Sequence, residues 1–431
     1  MMPRLIYTLT LWFLLIPWAL LHLLWRARRQ PEYLGHWDER FGLYVGRQSH
    51  EPLIWIHAVS VGETRAAQPL IAALMARYPD HRILLTHTTP TGRQTSTDLF
   101  GESVERRYLP YDCPFAVGRF LSYFQPVIGI LMETELWPNL IALTHQRGIP
   151  LLLVNARMSE KSARRYARFP QLTRGALTTL AGIAAQTEPD AQRLRSLGAR
   201  EVIVTGNLKF DSTPPKNQLA LGQRFRSLLG ERSVFLCAST REGEEYAILK
   251  HWPDEEHALL VLVPRHPQRF DEVARLAESK GFAVQRRSDE KPVALETQVW
   301  IGDSLGELFA YYAASEVAFV GGSLLNYGCQ NLIEPCAVGV PVLIGPSTFN
   351  FAETARAALA AGAAMQVGHA GELVNEARLL LANAVHRQSM GQSGQDFARR
   401  HQGATVRTMD VLQAHYESEP HRGTKSCSMP I

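Results

Sequence analysis

The chain contains no Cys-x-x-Cys pair, no Asp-x-Asp, no His-Glu-x-x-His and no Walker A motif, and each absence removes a chemistry. Its five cysteines, Cys113, Cys237, Cys329, Cys336 and Cys427, are odd in number and scattered. That disfavours a zinc ribbon or a disulfide framework and fits a reducing compartment. Without a Walker A sequence or a clean Gly-x-Gly-x-x-Gly after a strand, kinase-like and dinucleotide readings fall away. Fifteen histidines without His-Glu-x-x-His disfavour a metalloprotease. The missing Asp-x-Asp weakens a metal-bridged diphosphate donor, and neither a metal site nor a cofactor is expected. Strong charge is missing too. With 45 Lys and Arg against 41 Asp and Glu, the net charge of +4 falls short of a nucleic-acid binder's basic footprint, and no nucleic acid is expected. No fixed-period repeat or low-complexity tract occurs.

What is there suffices for proper cores. The 431 residues are 46% hydrophobic and 20% charged, enough for two or three folded units. From Leu5 to Trp25 no formal charge occurs, and only Thr8, Thr10, Pro17 and His22 interrupt the apolar run. A helix of that length covers about 30 Å, one hydrocarbon core. A cleaved signal peptide would have a shorter apolar region and a small-x-small cleavage site, whereas this run ends in Leu23-Leu24-Trp25-Arg26. Arg26, Arg28 and Arg29 behind it place the following chain in the cytoplasm. One uncleaved anchor is expected over residues 1–29, with a body that needs nothing from it.

Behind the anchor, short continuous apolar runs (Leu53–Ala58, Ile83–Thr86, Val127–Met132, Leu151–Val154, Ile183–Ala185) alternate with helical patterns such as Thr64–Arg77 and Pro138–Gln146. Such runs suit parallel strands buried on both faces, and the alternation implies right-handed βαβ units. Pro214 and Pro215 mark a linker, after which the rhythm restarts with Val234–Ala238, Leu259–Val263, Val299–Ile301, Val317–Val320 and Val340–Ile344. The expected class is α/β, two Rossmann-like lobes with a cleft. The expected boundaries are 30–212 for the first lobe, 213–217 for the linker, 218–416 for the second lobe and 417–431 for a flexible tail.

In open α/β sheets, ligands meet the carboxyl ends of strands and the helix N-termini that follow. Three such places stand out. In Trp55–Thr64 a strand turns through Ser60 and Gly62 into a helix with Glu63 in its first turn, where the same carboxylate could simply favour the helix dipole. In Leu131–Asn139, Glu133 and Glu135 follow a buried strand and could tune a neighbour's pKa, orient an acceptor or cap the helix. In the second half, Arg265 and His266 stand at a strand end, Gly321-Gly322-Ser323 is expected to free backbone amides for a phosphate, and Asn331 to Glu334 open a helix. Together these suggest a bound nucleotide. A basic stretch, Arg157, Lys161, Arg164, Arg165 and Arg168, could be a solvated helix face. In an anchored protein it gains weight as a surface for anionic lipid or a phosphorylated lipid substrate.

Several motifs resemble the 3-deoxy-D-manno-octulosonic acid (Kdo) transferase family, in order and at sensible spacing from the anchor to about Ala360. They are His57–Thr64, Thr89–Gly92, Leu109–Asp112, Met132–Asn139, Asn155–Arg157, Gly206–Asp211, Arg241–Glu245, Val263–Pro267 and Phe319–Ser323. The resemblance implies a GT-B fold and an inverting, metal-independent transfer of Kdo from CMP-Kdo to the lipid A precursor lipid IVA at the bacterial inner membrane. It implies Glu63 as the catalytic base, with Glu133 also functional. Donor contacts are expected from Lys209, Arg265, His266, Gly321, Gly322, Ser323, Asn331 and Glu334. The chain departs from the pattern at Gly328-Cys329-Gln330-Asn331, where the family usually reads Gly-Gly-His-Asn. Gln330 can donate a hydrogen bond but cannot carry imidazolium charge. Two rivals are a nucleotide-sugar epimerase on the same architecture, which has no need of a membrane span, and an anchored binding scaffold without catalysis.

Overall fold

The computed structural model describes residues 2–28, 31–46, 51–253 and 257–417. The expected tail is largely outside them, since Glu417 ends the last helix and 418–431, with Cys427, are not described. The remaining four cysteines are free and buried. The chain divides into two compact units, 1–212 with 402–431, and 213–401.

Each unit is built on a seven-stranded parallel sheet. The first contains β1 (Leu53–His57), β2 (Arg82–His87), β3 (Glu105–Tyr108), β4 (Ile128–Met132), β5 (Leu151–Ala156), β6 (Gly182–Ala185) and β7 (Val202–Val204), in the order β3-β2-β1-β4-β5-β6-β7. The second contains β8 (Val234–Thr240), β9 (Leu259–Pro264), β10 (Val284–Arg286), β11 (Val299–Ile301), β12 (Val317–Val320), β13 (Val342–Ile344) and β14 (Ala364–Gln366), ordered β10-β11-β9-β8-β12-β13-β14. Every inner strand of the first sheet is buried almost throughout, and its two faces carry separate cores, one around Trp55 and Phe120, the other around Ile54, Ile56 and Leu70. Strand order reverses between β1 and β4, and between β8 and β12, so each sheet has one switch point where the following loops diverge.

Three expectations change. The helix Ala404–Glu417 belongs to the first unit, not to a second lobe running to 416. Its Ala404, Val411 and Leu412 enter the core behind β1, and Asp211 accepts from the amides of Gly403 and Thr405 at its start. The linker is shorter than expected, because Pro215 caps a helix that already runs from Lys216 to Leu229. Proline is well tolerated just before a helix, so the pair ends one element and opens the next.

The third change concerns the apolar segment. It is helical from Met2 to Ala27, with one π-turn at Leu11–Leu15. Pro17 lacks the N–H that the preceding turn would use, which fits a local shift of register there. Phe13 is 74% and Leu21 68% exposed, as a lipid-facing surface requires. The body is not indifferent to this helix, however. Tyr7 Oη donates to Asp112 Oδ2 at 2.9 Å, Thr8 Oγ1 donates to Asn139 Oδ1 at 3.1 Å, and Leu11 packs with Cys113 and Ala116.

Candidate active site

The two carboxylates singled out in the sequence follow the two strands of the first switch point. β1 and β4 pair in register, His57 opposite Leu131, so the loops after them leave the sheet side by side. Ser60 caps the helix Val61–Arg77, accepting from the Glu63 amide, and Ser60 Oγ donates back to Glu63 Oε1 at 3.0 Å. Glu63 Oε2 accepts from the Val59 amide at 2.8 Å. Glu63 is therefore held by its own loop, the capping arrangement its position allows. Capping does not exhaust it. Burial first, then the charge of Glu133, pushes its carboxyl up to about 8, against the pull of the Val59 and Ser60 hydrogen bonds. A carboxyl titrating there can take a proton near neutral pH.

The loop geometry has further supports. Thr89 Oγ1 donates to the Val59 carbonyl at 3.0 Å, and a Cβ on Gly92 would lie 3.0 Å from that same oxygen, so only glycine lets the next helix approach this closely. Space beside Gly62 is open, with Ser60 Oγ at 3.9 Å the nearest atom to a Cβ built there. Burial and the neighbouring His87 hold His57, under Trp137, down to about 3, so it is uncharged at neutral pH.

Glu133 occupies the left-handed region at φ 58°, as does Asn155 at φ 50°. Such conformations cost about 1–3 kcal/mol each in a non-glycine residue and gather at functional sites. Glu133 Oε1 accepts from Lys209 Nζ at 3.2 Å. Asn155 assists, because its Oδ1 accepts from the Leu208 amide and so presents the turn that carries Lys209. The expected donor contact Lys209 is thus a partner of Glu133 within the first unit. Glu135 is engaged elsewhere, accepting from Trp137 Nε1 at 2.6 Å. The basic segment is tied to this loop, since Thr134 Oγ1 donates to the Arg157 carbonyl and Tyr166 Oη to the Thr134 carbonyl. Lys161, Arg164, Arg165 and Arg168 line one shallow depression with Glu160, which pairs with Arg164 at 2.5 Å.

In the second unit, the loops after β8, β9 and β12 gather at that sheet's switch point. Arg265 and His266 are exposed after β9, and Arg241 donates to His266 Nε2 at 3.1 Å. Partial desolvation and then Arg241, Arg265 and Arg269 hold the largely exposed His266 below the usual histidine range, which leaves Nε2 to accept. The result is a cationic rim suited to a phosphate. Asn331 Oδ1 accepts from the Ile333 amide, and Asn331 Nδ2 donates to Glu334 Oε1 at 3.0 Å.

The expectation that Gly321-Gly322-Ser323 frees amides for a phosphate fails for both glycines. The Gly321 amide donates to Ala238, and the Gly322 amide to Glu244 Oε2 at 2.7 Å. Ser323, fully buried, bonds Val320 and Gly345 through its hydroxyl. A Cβ on Gly321 would lie 2.4 Å from the Ser239 carbonyl oxygen, so the glycine is there for closeness between β12 and β8. Cys329 is buried at φ 67°, a left-handed position that a glycine would take without strain.

Sequence reasoning missed Glu244 and Arg241 as site residues, although both lie in the Arg241–Glu245 motif after β8. Glu244 is fully buried and its carboxylate accepts from the amides of Arg241, Gly322, Leu324 and Leu325. Glu245 beside it holds Arg269 through two bonds of 2.7 and 3.1 Å. One helix start thus fixes the loops after β8 and β12 and the turn after β9. An acidic pair behind a glycine at a strand end was the available signal.

A family model described as 3-deoxy-D-manno-octulosonic-acid transferase (kdotransferase) matches residues 35–212. The 3-deoxy-D-manno-octulosonic acid transferase of Bordetella pertussis is 44% identical over 432 residues, covering 96% of this chain and 99% of the relative. The enzyme of the same name from Haemophilus influenzae is 38% identical over 398 residues, covering 90% and 93%. Among solved structures, a glycosyltransferase from Rickettsia africae aligns at TM-score 0.59 and 11% identity over 86% of this chain and 100% of its own. A putative UDP-N-acetylglucosamine 2-epimerase from Listeria monocytogenes aligns at TM-score 0.59 and 16% identity over 86% and 99%. At such identities the two structures speak for the fold alone, which is of the GT-B type.

Proposed function

This chain belongs to the 3-deoxy-D-manno-octulosonic acid (Kdo) transferase family, and we propose that it moves Kdo from CMP-Kdo to lipid IVA, with inversion, at the cytoplasmic face of a bacterial inner membrane. Kdo transfer in lipopolysaccharide biosynthesis comes with the family. Donor, acceptor, stereochemistry and topology are this proposal. The observation that carries it is Glu63, a half-buried carboxyl raised to about 8 at a switch point, beside a second acidic group paired with a lysine.

In this reading the first unit handles the acceptor. Glu63 takes the proton of the attacking hydroxyl as it adds to the sugar, which is general base catalysis. Glu133 keeps Glu63 basic, and Lys209 holds Glu133 in place. The arginines and lysine of 157–168 receive phosphates of the acceptor. The second unit handles the donor. A CMP-sugar has its sugar on a single phosphate, so CMP leaves with modest charge that Arg265, His266 and Arg241 can neutralise without a metal. Asn331 and Glu334 are the proposed ribose or base contacts, and Gly321, Gly322 and Ser323 shape the wall beside them. The N-terminal helix holds the enzyme in the membrane through its exposed apolar side.

The direct test is purified full-length enzyme with CMP-Kdo and lipid IVA, with product read by mass spectrometry. Turnover of UDP-GlcNAc by epimerisation instead, or CMP-Kdo binding without transfer, would favour the rival readings. Activity should survive EDTA, because the chain has no Asp-x-Asp and the donor carries one phosphate; loss on chelation, restored by Mg²⁺, contradicts this. The rate should rise with pH along a limb near 8, the pH at which Glu63 loses its proton. Glu133→Gln removes a charge that raises Glu63, so the limb should move to lower pH, whatever happens to the maximal rate. A limb left in place would separate the two carboxylates.

A further inference from the structure

We propose that Tyr7 and Thr8 of the N-terminal helix are positioning residues that clamp the start of the helix Pro138–Gln146 and so set the loop 133–137 carrying Glu133. The inference rests on the transfer reading above and goes beyond anchoring.

The clamp is built on two buried groups, Asp112 and Asn139, each 2% exposed. The helix Pro138–Gln146 gets no side-chain cap from Trp137. Asp112 reaches in from the turn after β3 and replaces it, with Oδ2 accepting from the Asn139 amide at 3.0 Å and Oδ1 from the Leu140 amide at 2.7 Å. Asn139 Nδ2 donates in return to the Asp112 carbonyl at 2.7 Å. Each of the pair keeps one more bond, and both go to the apolar helix. Tyr7 Oη completes Asp112, and Thr8 Oγ1 shares its one hydroxyl proton between the Arg4 carbonyl of its own helix, at 2.8 Å, and Asn139 Oδ1, at 3.1 Å.

The position of this clamp gives it consequences. The loop 133–137 runs from the end of β4 directly into Pro138. One end is fixed by the sheet, the other by Asp112 and Asn139. Glu133, in its left-handed conformation, lies between. A tether needs only apolar contact with lipid, and polar side chains on such a helix are costly unless satisfied. Here Tyr7 is satisfied by Asp112, and Thr8 by the Arg4 carbonyl together with Asn139, so movement of the helix is passed through that cap to Glu133 and its neighbours.

The test uses the full-length enzyme in detergent with dispersed lipid IVA, where tethering to a bilayer contributes nothing. The variants are the double substitution Tyr7→Phe/Thr8→Val and the single Thr8→Ser. Loss of a hydrogen bond to the buried Asp112 carboxyl and one to an amide should lower kcat/KM for the acceptor about tenfold. The donor KM should stay at its wild-type value, Tm should fall by only a few degrees, and Thr8→Ser, which keeps the hydroxyl, should behave as wild type. Wild-type acceptor kinetics in the double variant overturn the inference. So does a parallel loss in donor affinity, which would mark a purely structural contact. If wild-type enzyme itself fails to transfer, the transfer reading falls; an active wild type with an unaffected variant removes only the clamp.

Discussion

Glu63→Gln should reduce Kdo transfer by about 10²–10⁴-fold, the usual loss when a general base is removed, while CMP affinity stays at the wild-type value. Glutamine keeps the shape, and its Oε1 can still accept from the Val59 amide, so the capping role survives. It cannot take a proton from the acceptor. Stability separates this from a folding defect. The folded pKa of Glu63 is raised from 4.5 to about 8, so its contribution to stability is complete only below about pH 4.5 and is lost as pH rises to about 8. The variant carries no such charge, so its Tm should match wild type at low pH and equal or exceed it at pH 8. Steady-state kinetics, CMP titration calorimetry and thermal scans at two pH values make the check. Wild-type turnover in the variant would remove Glu63 from the chemistry.

The second large effect is expected at Glu244, which touches no substrate in this reading. Glu244→Ala leaves four backbone N–H groups without their acceptor, at Arg241, Gly322, Leu324 and Leu325. An unsatisfied buried donor costs about 1–3 kcal/mol. Even partial relaxation leaves a loss of about 3 kcal/mol, or roughly 6–12 °C of Tm for a unit of this size. Burial pushes the Glu244 carboxyl above the usual carboxylate range, while the amides of the loops it organises pull it back. Glu244→Gln is the gentler probe, since a carboxamide has one acceptor oxygen and turns N–H groups toward other donors. It should keep the fold yet weaken CMP binding by at least about tenfold, as the loops after β8 and β12 lose register. Unchanged CMP affinity in Glu244→Gln would leave the residue a core group without influence on the donor loops.

The contrast between the two residues shows what was legible. Glu63 and Glu133 could be picked from the sequence because each follows a continuous apolar run and precedes a helix, a purely local pattern. Glu244 carries a similar local signal, but its role is not readable from it, because its importance lies in bonds to residues 78 to 81 positions away. Lys209 is legible as a residue of the Gly206–Asp211 motif, but its pairing with Glu133, 76 positions distant, is not. The same division explains the glycines after β12. Their type was legible, and their use in close packing was decided by Glu244 and Ser239 in space.

By itself the sequence determined the inner strands of both sheets, the N-terminal apolar helix and the strand-end motifs. Inner parallel strands are covered on both faces, so each must be an unbroken apolar run, and such runs are visible without knowledge of their neighbours. The four strands that the sequence did not reveal, β3, β7, β10 and β14, are the four sheet edges. Each is three or four residues long and only partly buried, as in Glu105-Arg106-Arg107-Tyr108, so no apolar run announces it. The tertiary structure alone decided that the last helix returns to the first unit and that Tyr7 and Thr8 meet Asp112 and Asn139. Both are contacts across 100 residues or more. Burial on both faces leaves its mark on every residue of a strand, whereas a distant hydrogen bond needs only one polar side chain at each end, and many polar side chains could serve.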